Sequence, residues 1–146
     1  MNARDGSPVS FDSSVFDLAA LAARFPPTAD TMLIDIRLTD EAAASSRLFR
    51  IYRSVPAHYH KTCDEYLQVV SGRGTFVVEG QQPVDLGPGQ LLFFRRNTVH
   101  AIPVVLEEPL VVFSVDTPRR DPSDVTFVDP VHGTAKEFIR TIQTDY

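Results

Sequence analysis

His58 and His60 stand two residues apart in the stretch SVPAHYHKTCDEYLQVVSG (54–72), which also carries Glu65 and ends on Gly72. Side chains two apart on extended backbone share a face, and their α-carbons lie about 6.6 Å apart. Both imidazoles can then reach one cation at roughly 2.0–2.1 Å. The bend Lys61-Thr62-Cys63-Asp64 can swing the Glu65 carboxylate back to the same centre, and His100, from a later strand, can close it from the other side. Three neutral imidazoles and one carboxylate leave one or two positions on a divalent ion for water or substrate. A lone strand histidine is more often a hydrogen-bonded core or surface group than a ligand. The reading therefore rests on the combination.

The elements that must position these residues follow from periodicity. Residues 17–25 (DLAALAARF) place Leu18, Leu21, Ala22 and Phe25 on one helical face, and Pro26-Pro27 stops that helix. From residue 32 the rhythm is two. Met32, Ile34, Ile36 and Leu38 alternate with Leu33, Asp35 and Arg37, which suits a half-buried strand. A second strand covers 47–53, with Phe49 and Ile51 opposite Leu48, Arg50 and Tyr52. Further strands are expected at 65–71, 75–79, 84–86, 91–94 (LLFF, fully buried), 100–106 and 110–116, with an edge strand at 125–128. A tight hairpin is expected at 71–74, and turns at 80–83, 87–89 and 107–109. Short strands with such spacing indicate a sandwich or barrel. Thr134 to Glu137 reads as a capping box opening a helix that runs to about 143, with Phe138, Ile139 and Ile142 as its apolar stripe.

On these residues the chain resembles the cupin superfamily. Its first motif is HxH, three or four residues, glutamate, six residues, glycine; His58, His60, Glu65 and Gly72 stand at those spacings, while the glycine six before HxH is Tyr52. Its second motif is glycine, five residues, PxG, two residues, histidine, three residues, asparagine. Gly89 and His100 match, whereas Arg95, Asn97 and Val104 stand at the proline, glycine and asparagine positions. Asn97 is a tolerable substitute, because asparagine visits left-handed backbone readily. The resemblance spans about 47–116. It implies an all-β double-stranded β-helix (jelly-roll) barrel with a short N-terminal and a C-terminal helix. The expected layout is an arm and helix over 1–30, the barrel over 31–128, and a C-terminal helix packed on it over 129–146. It implies His58, His60, Glu65 and His100 as ligands of a divalent metal: iron, manganese, nickel, copper or zinc.

Composition bounds the rest. The 146 residues are 43% hydrophobic and 23% charged with a net charge of −5, so binding to phosphate backbones or anionic membranes is not expected. The single cysteine, Cys63, excludes an internal disulfide and is read as a small loop residue rather than a redox thiol. The polar N-terminus lacks a secretory signal, and no stretch is apolar enough to span a membrane, so a cytoplasmic location is expected. Tyr59 should point away from the metal, Arg95 and Arg96 are read as solvated, and His132 as an exposed turn residue. Arg50, Tyr52 and Arg53 precede HxH, and one parity set of that strand should line the pocket; a buried arginine there would suit a carboxylate or phosphate. Apolar outer strands such as 111–115, together with the resemblance, imply a homodimer. The expected activity is metal-dependent chemistry on a small oxygen-rich molecule, dioxygenase-like first and isomerase- or epimerase-like second. The alternative is a non-catalytic binding module or sensor for a sugar or organic acid; a seed-storage-like role fits a single short domain poorly.

Overall fold

A computed structural model describes residues 13–143. Among them the elements run α1 (Leu18–Ala22), β1 (Leu33–Asp40), β2 (Ser45–Ile51), β3 (Val55–Tyr59), β4 (Asp64–Val78), β5 (Val84–Leu86), β6 (Leu91–Phe94), β7 (His100–Thr117), β8 (Thr126–Phe127), α2 (Ala135–Phe138) and β9 (Ile139–Gln143). The main ladder is ordered β5-β4-β7-β2-β1-β9, with β6 on β4 and β3 bridging β7 and β8. No helix among the described residues is long and apolar enough to cross a membrane.

Two long strands carry the barrel. β4 and β7 pair antiparallel from Asp64↔Thr117 to Val78↔His100, well beyond the ordinary strand length. The hairpin expected at 71–74 and the turn expected at 107–109 are instead two bends at the same level, so the ladder continues through both. Register shifts between Val69 and Val77 take up the curvature. At the bend Gly72 has φ 74°, and a Cβ there would sit 2.4 Å from Pro109 O and 2.5 Å from Glu107 O. Glycine is required by that approach as well as by its dihedral. Bending lets one half of β4 pair with β6 and the other with β5, which folds the sheet over itself.

The inward phase of β1, β2, β4 and β7 supplies Leu33, Phe49, Ile51, Leu67, Val69, Leu110 and Val112 to one core. β1 is not half-buried: Ile34, Ile36 and Leu38 form a second cluster with Leu48, Val111 and, from the α1 region, Leu21 and Phe25. The phase that alternation assigned to solvent, Leu33, Asp35 and Arg37, faces the barrel. The helix over 17–25 is confined to Leu18–Ala22, with Asp17 accepting from Ala20 N at 3.1 Å as its cap. The LLFF run is not fully buried either. β6 pairs with β4 alone, leaving Leu91 61% and Phe93 42% exposed, because a short apolar run does not reveal which faces are covered.

At the C-terminus the capping box forms as expected, but it opens one helical turn. Ile139–Gln143 is a strand parallel to β1, since β1 has an open edge whose backbone donors and acceptors need partners. The edge strand expected at 125–128 is the short β8 on β3. Residues 1–12 and 144–146, with the arm expected at the start, lie outside the described residues.

Candidate metal centre

His58 on β3 and His100 at the start of β7 are directly paired residues, and His60 lies one step past the end of β3. Two contacts fix that step. Asn97, with φ 64°, donates its N–H to His60 O at 2.7 Å, tying the turn before His100 to the HxH segment. The left-handed conformation that asparagine tolerates is thus used at the position where the family pattern has glycine. From 62 and 63 residues away, the Asp124 carboxylate accepts from Lys61 N at 2.8 Å, Thr62 N at 3.0 Å and Thr62 Oγ1 at 2.6 Å.

One ligating atom from each of His58, His60 and His100 falls within 4.8 Å of the others, and all three residues are buried. Each ring is oriented by a backbone carbonyl at Nδ1: Pro56 O at 2.8 Å for His58, Asp124 O at 2.6 Å for His60 and Thr98 O at 2.9 Å for His100. A carbonyl can only accept, so Nδ1 carries the hydrogen and Nε2 presents its lone pair, the arrangement of metal-bound imidazoles. Burial, with repulsion from the neighbouring imidazoles, holds His58 well below its ordinary value and His100 at about 4. Both are therefore neutral near pH 7, as a ligand must be.

Glu65, at the start of β4, lies outside the three-histidine group, but its Oε1 is 3.3 Å from His60 Nε2. Two acceptors facing each other require a proton or a cation between them. Atoms bound to one ion at roughly 2.0–2.1 Å and tetrahedral angle lie about 3.3–3.4 Å apart, so this edge fits a shared metal. Burial opposes ionisation of Glu65, yet a proton or cation at His60 Nε2, together with the Arg47 charge, outweighs it and holds the carboxyl far below the usual range. Its Oε2 accepts from Ser114 Oγ at 2.7 Å and lies 3.6 Å from Arg47 Nη2. The three histidines fit a divalent ion, and Glu65 stands beside them on the His60 edge.

These groups line a cavity of about 20 Å³, bounded also by Arg47, Leu33, Phe49, Val55, Leu67, Ile102 and, from α2, Phe138. The remaining residues fall as follows. Tyr59 does not line the cavity. Arg50 faces outward over the Tyr52 ring at 4.7 Å, and the Tyr52 hydroxyl donates to Pro26 O at 2.7 Å. Arg95 and Arg96 are exposed, Arg96 pairing with Asp64 at 3.1 Å. His132 is exposed outside the cluster. Cys63 is buried with its thiol pushed up by burial, which makes it unreactive. The parity set that lines the pocket is instead that of Arg47, in phase with Phe49 and Ile51. That phase was the signal available for Arg47; nothing local marks Asp124.

The depressed imidazoles set a pH dependence. His100 takes up its proton more readily unfolded, near 6.5, than folded, at about 4. The unfolded chain thus binds more protons in that window, and stability rises with pH. Urea unfolding of metal-free protein should show stability fully present above about pH 6.5 and about 3 kcal/mol lost from His100 alone as pH falls through 4. A flat profile between pH 7 and 5 would contradict buried neutral imidazoles.

Comparison with known proteins agrees with this fold. The cupin-domain profile matches residues 51–116. Among curated proteins, none matches. Among solved structures, KdgF from Halomonas sp. is 24% identical over 62% of this chain and 83% of its own, with a TM-score of 0.57. A protein with a double-stranded β-helix domain from Klebsiella pneumoniae is 16% identical over 75% and 94%, with a TM-score of 0.62. DMSP lyase DddQ from Ruegeria pomeroyi is 16% identical over 84% and 81%, with a TM-score of 0.59. At these identities the likeness is one of fold. With that fold, and with the domain match enclosing His58, His60, Glu65 and His100, residues 51–116 form a cupin domain within a double-stranded β-helix barrel.

Proposed function

We propose that this protein is a metal-dependent enzyme acting on a small oxygen-rich metabolite, with His58, His60, His100 and Glu65 holding a divalent ion. The observation that carries the reading is the convergence of three Nε2 lone pairs, each fixed by an Nδ1–H bond to a carbonyl, beside an ionised carboxylate. An ion held there supplies Lewis-acid polarisation of substrate oxygens and, where it is iron, manganese or copper, redox chemistry. His58 and His100 stay neutral and keep their orientation, Glu65 supplies negative charge, and the apolar lining excludes water and strengthens each electrostatic contact.

Dioxygenase-like chemistry is the first reading. With Glu65 engaged as a ligand, Arg47 is the remaining titratable group among the cavity-lining residues, and an arginine is no general base. The second reading, an isomerase, epimerase or lyase, is favoured by the position of Glu65 outside the three-histidine group. A carboxylate free of the ion could abstract a proton, and one structural neighbour is described as a lyase.

Oxygen-electrode measurements on the metal-loaded protein with a panel of small oxyacids and sugars separate these readings. Substrate-dependent oxygen uptake is expected. Turnover without uptake, abolished by Glu65→Gln with metal retained, would establish the second reading instead. Tight binding of a panel compound with no turnover would leave a binding module.

A further inference from the structure

β1, the α2–β9 segment and the chain after β7 border an open cleft of about 310 Å³ beside Asp35. That is large enough for a small metabolite. The cleft is cationic: Arg37, Arg120 and Lys136 line it, and Ser123 and Thr141 add hydroxyls. Asp35 also lines it but is engaged, its Oδ1 accepting from Thr141 Oγ1 at 2.5 Å and its Oδ2 lying 3.6 Å from Arg47 Nη1.

Arg120 is less well matched. Arg120 is 4% exposed, yet its Nε lies 3.6 Å from Asp116 Oδ2, and both Nε and Nη1 lack a hydrogen-bond partner. Arg37 Nη1 lies 3.6 Å from Asp40 Oδ2, beyond hydrogen-bond reach, while Asp40 Oδ1 takes Arg119 Nε at 2.7 Å. Burial holds Arg37 below its ordinary value; Arg47 and Arg120 add repulsion, against the attraction of Asp35 and Asp40. The unpartnered donors of buried Arg120, beside the partly buried Arg37 and the exposed Lys136, are stabilised by an acceptor among them.

We propose that this cleft binds a small oxyanion, a carboxylate or a phosphate, between Arg37, Arg120 and Lys136. Planar guanidinium groups match either oxyanion, and the lysine adds a mobile charge at the rim. The site shares no residue with the histidine cluster and does not rest on the metal reading; Arg47, beside both Asp35 and Glu65, connects the two.

The test is an NMR titration of the full chain with inorganic phosphate and, separately, malonate at low ionic strength. Saturable shifts are expected at amides of residues 35–37, 120, 121, 123 and 136–141, and the tighter probe identifies the class of anion. Arg37→Gln should weaken binding about tenfold and the rim change Lys136→Gln about threefold. Ser123→Glu, at an exposed position, should block it by placing a carboxylate at the mouth. Non-saturating shifts spread over the surface, or wild-type binding by both Lys136→Gln and Ser123→Glu, would overturn the proposal. His60→Ala should lose metal while keeping the anion, so failure of one site does not imply failure of the other.

Discussion

A His60→Ala variant is expected to bind its divalent ion about 10²–10³-fold more weakly than the wild-type protein. The free energy of a four-ligand protein site, roughly 10–16 kcal/mol, divides into about 3–4 kcal/mol per ligand, which sets that factor. His60 should lie at the upper end, because it is the histidine whose Nε2 stands 3.3 Å from Glu65 Oε1 and whose Nδ1 is seated on Asp124 O at 2.6 Å. Removing it strips one ligand and leaves the carboxylate without its nearest partner. Competition against a chromophoric chelator reads the change, with His132→Ala as the control at an exposed histidine outside the cluster. An affinity within twofold of wild type would remove His60 from the site.

The second large effect is on stability. Arg47 is buried among three buried carboxylates, with Asp35 Oδ2 and Glu65 Oε2 at 3.6 Å and Asp116 Oδ2 at 3.5 Å. Arg47→Met keeps the apolar stem but leaves those charges uncompensated, and removing one partner of a buried ionic group costs about 3–5 kcal/mol. The loss should be greatest at neutral pH. Asp116 is already raised by burial and by repulsion from Glu65, and without Arg47 it rises further. A folded-state carboxyl pKa above its unfolded value means that the native state binds more protons, so the variant's loss relative to wild type shrinks as pH falls towards 5. Urea unfolding at pH 7.5 and 5 measures both points. An equal or larger loss at pH 5 would show that the cost is packing rather than charge.

How far the sequence reveals this molecule depends on how local each cause is. The convergence of His58 and His60 is legible because HxH, Glu65 and Gly72 lie on one continuous stretch, where strand period and spacing decide which faces meet. Gly72 was legible as a glycine demand but not as a bend. A hairpin and a bend both call for positive φ, and what distinguishes them is Pro109 and Glu107 pressing on the far side. The burial of both faces of β1 was hidden because Asp35 and Arg37 read as solvent-facing until Arg47 and the cationic cleft are placed against them. β9 was hidden for a similar reason. Its local pattern is amphipathic helix, and the open edge of β1 takes it as a strand. Asp124 seats His60 from 64 residues away and leaves no trace in local periodicity.

The most direct test of the central claim is elemental analysis of the native protein purified without chelator, alongside a His58→Ala/His60→Ala double variant. The geometry predicts about one divalent iron, manganese, nickel, copper or zinc ion per wild-type chain, and less than about a tenth of that in the variant. Equal metal content in the two proteins, or a folded wild-type chain that takes up no divalent ion when supplied with one, would contradict it.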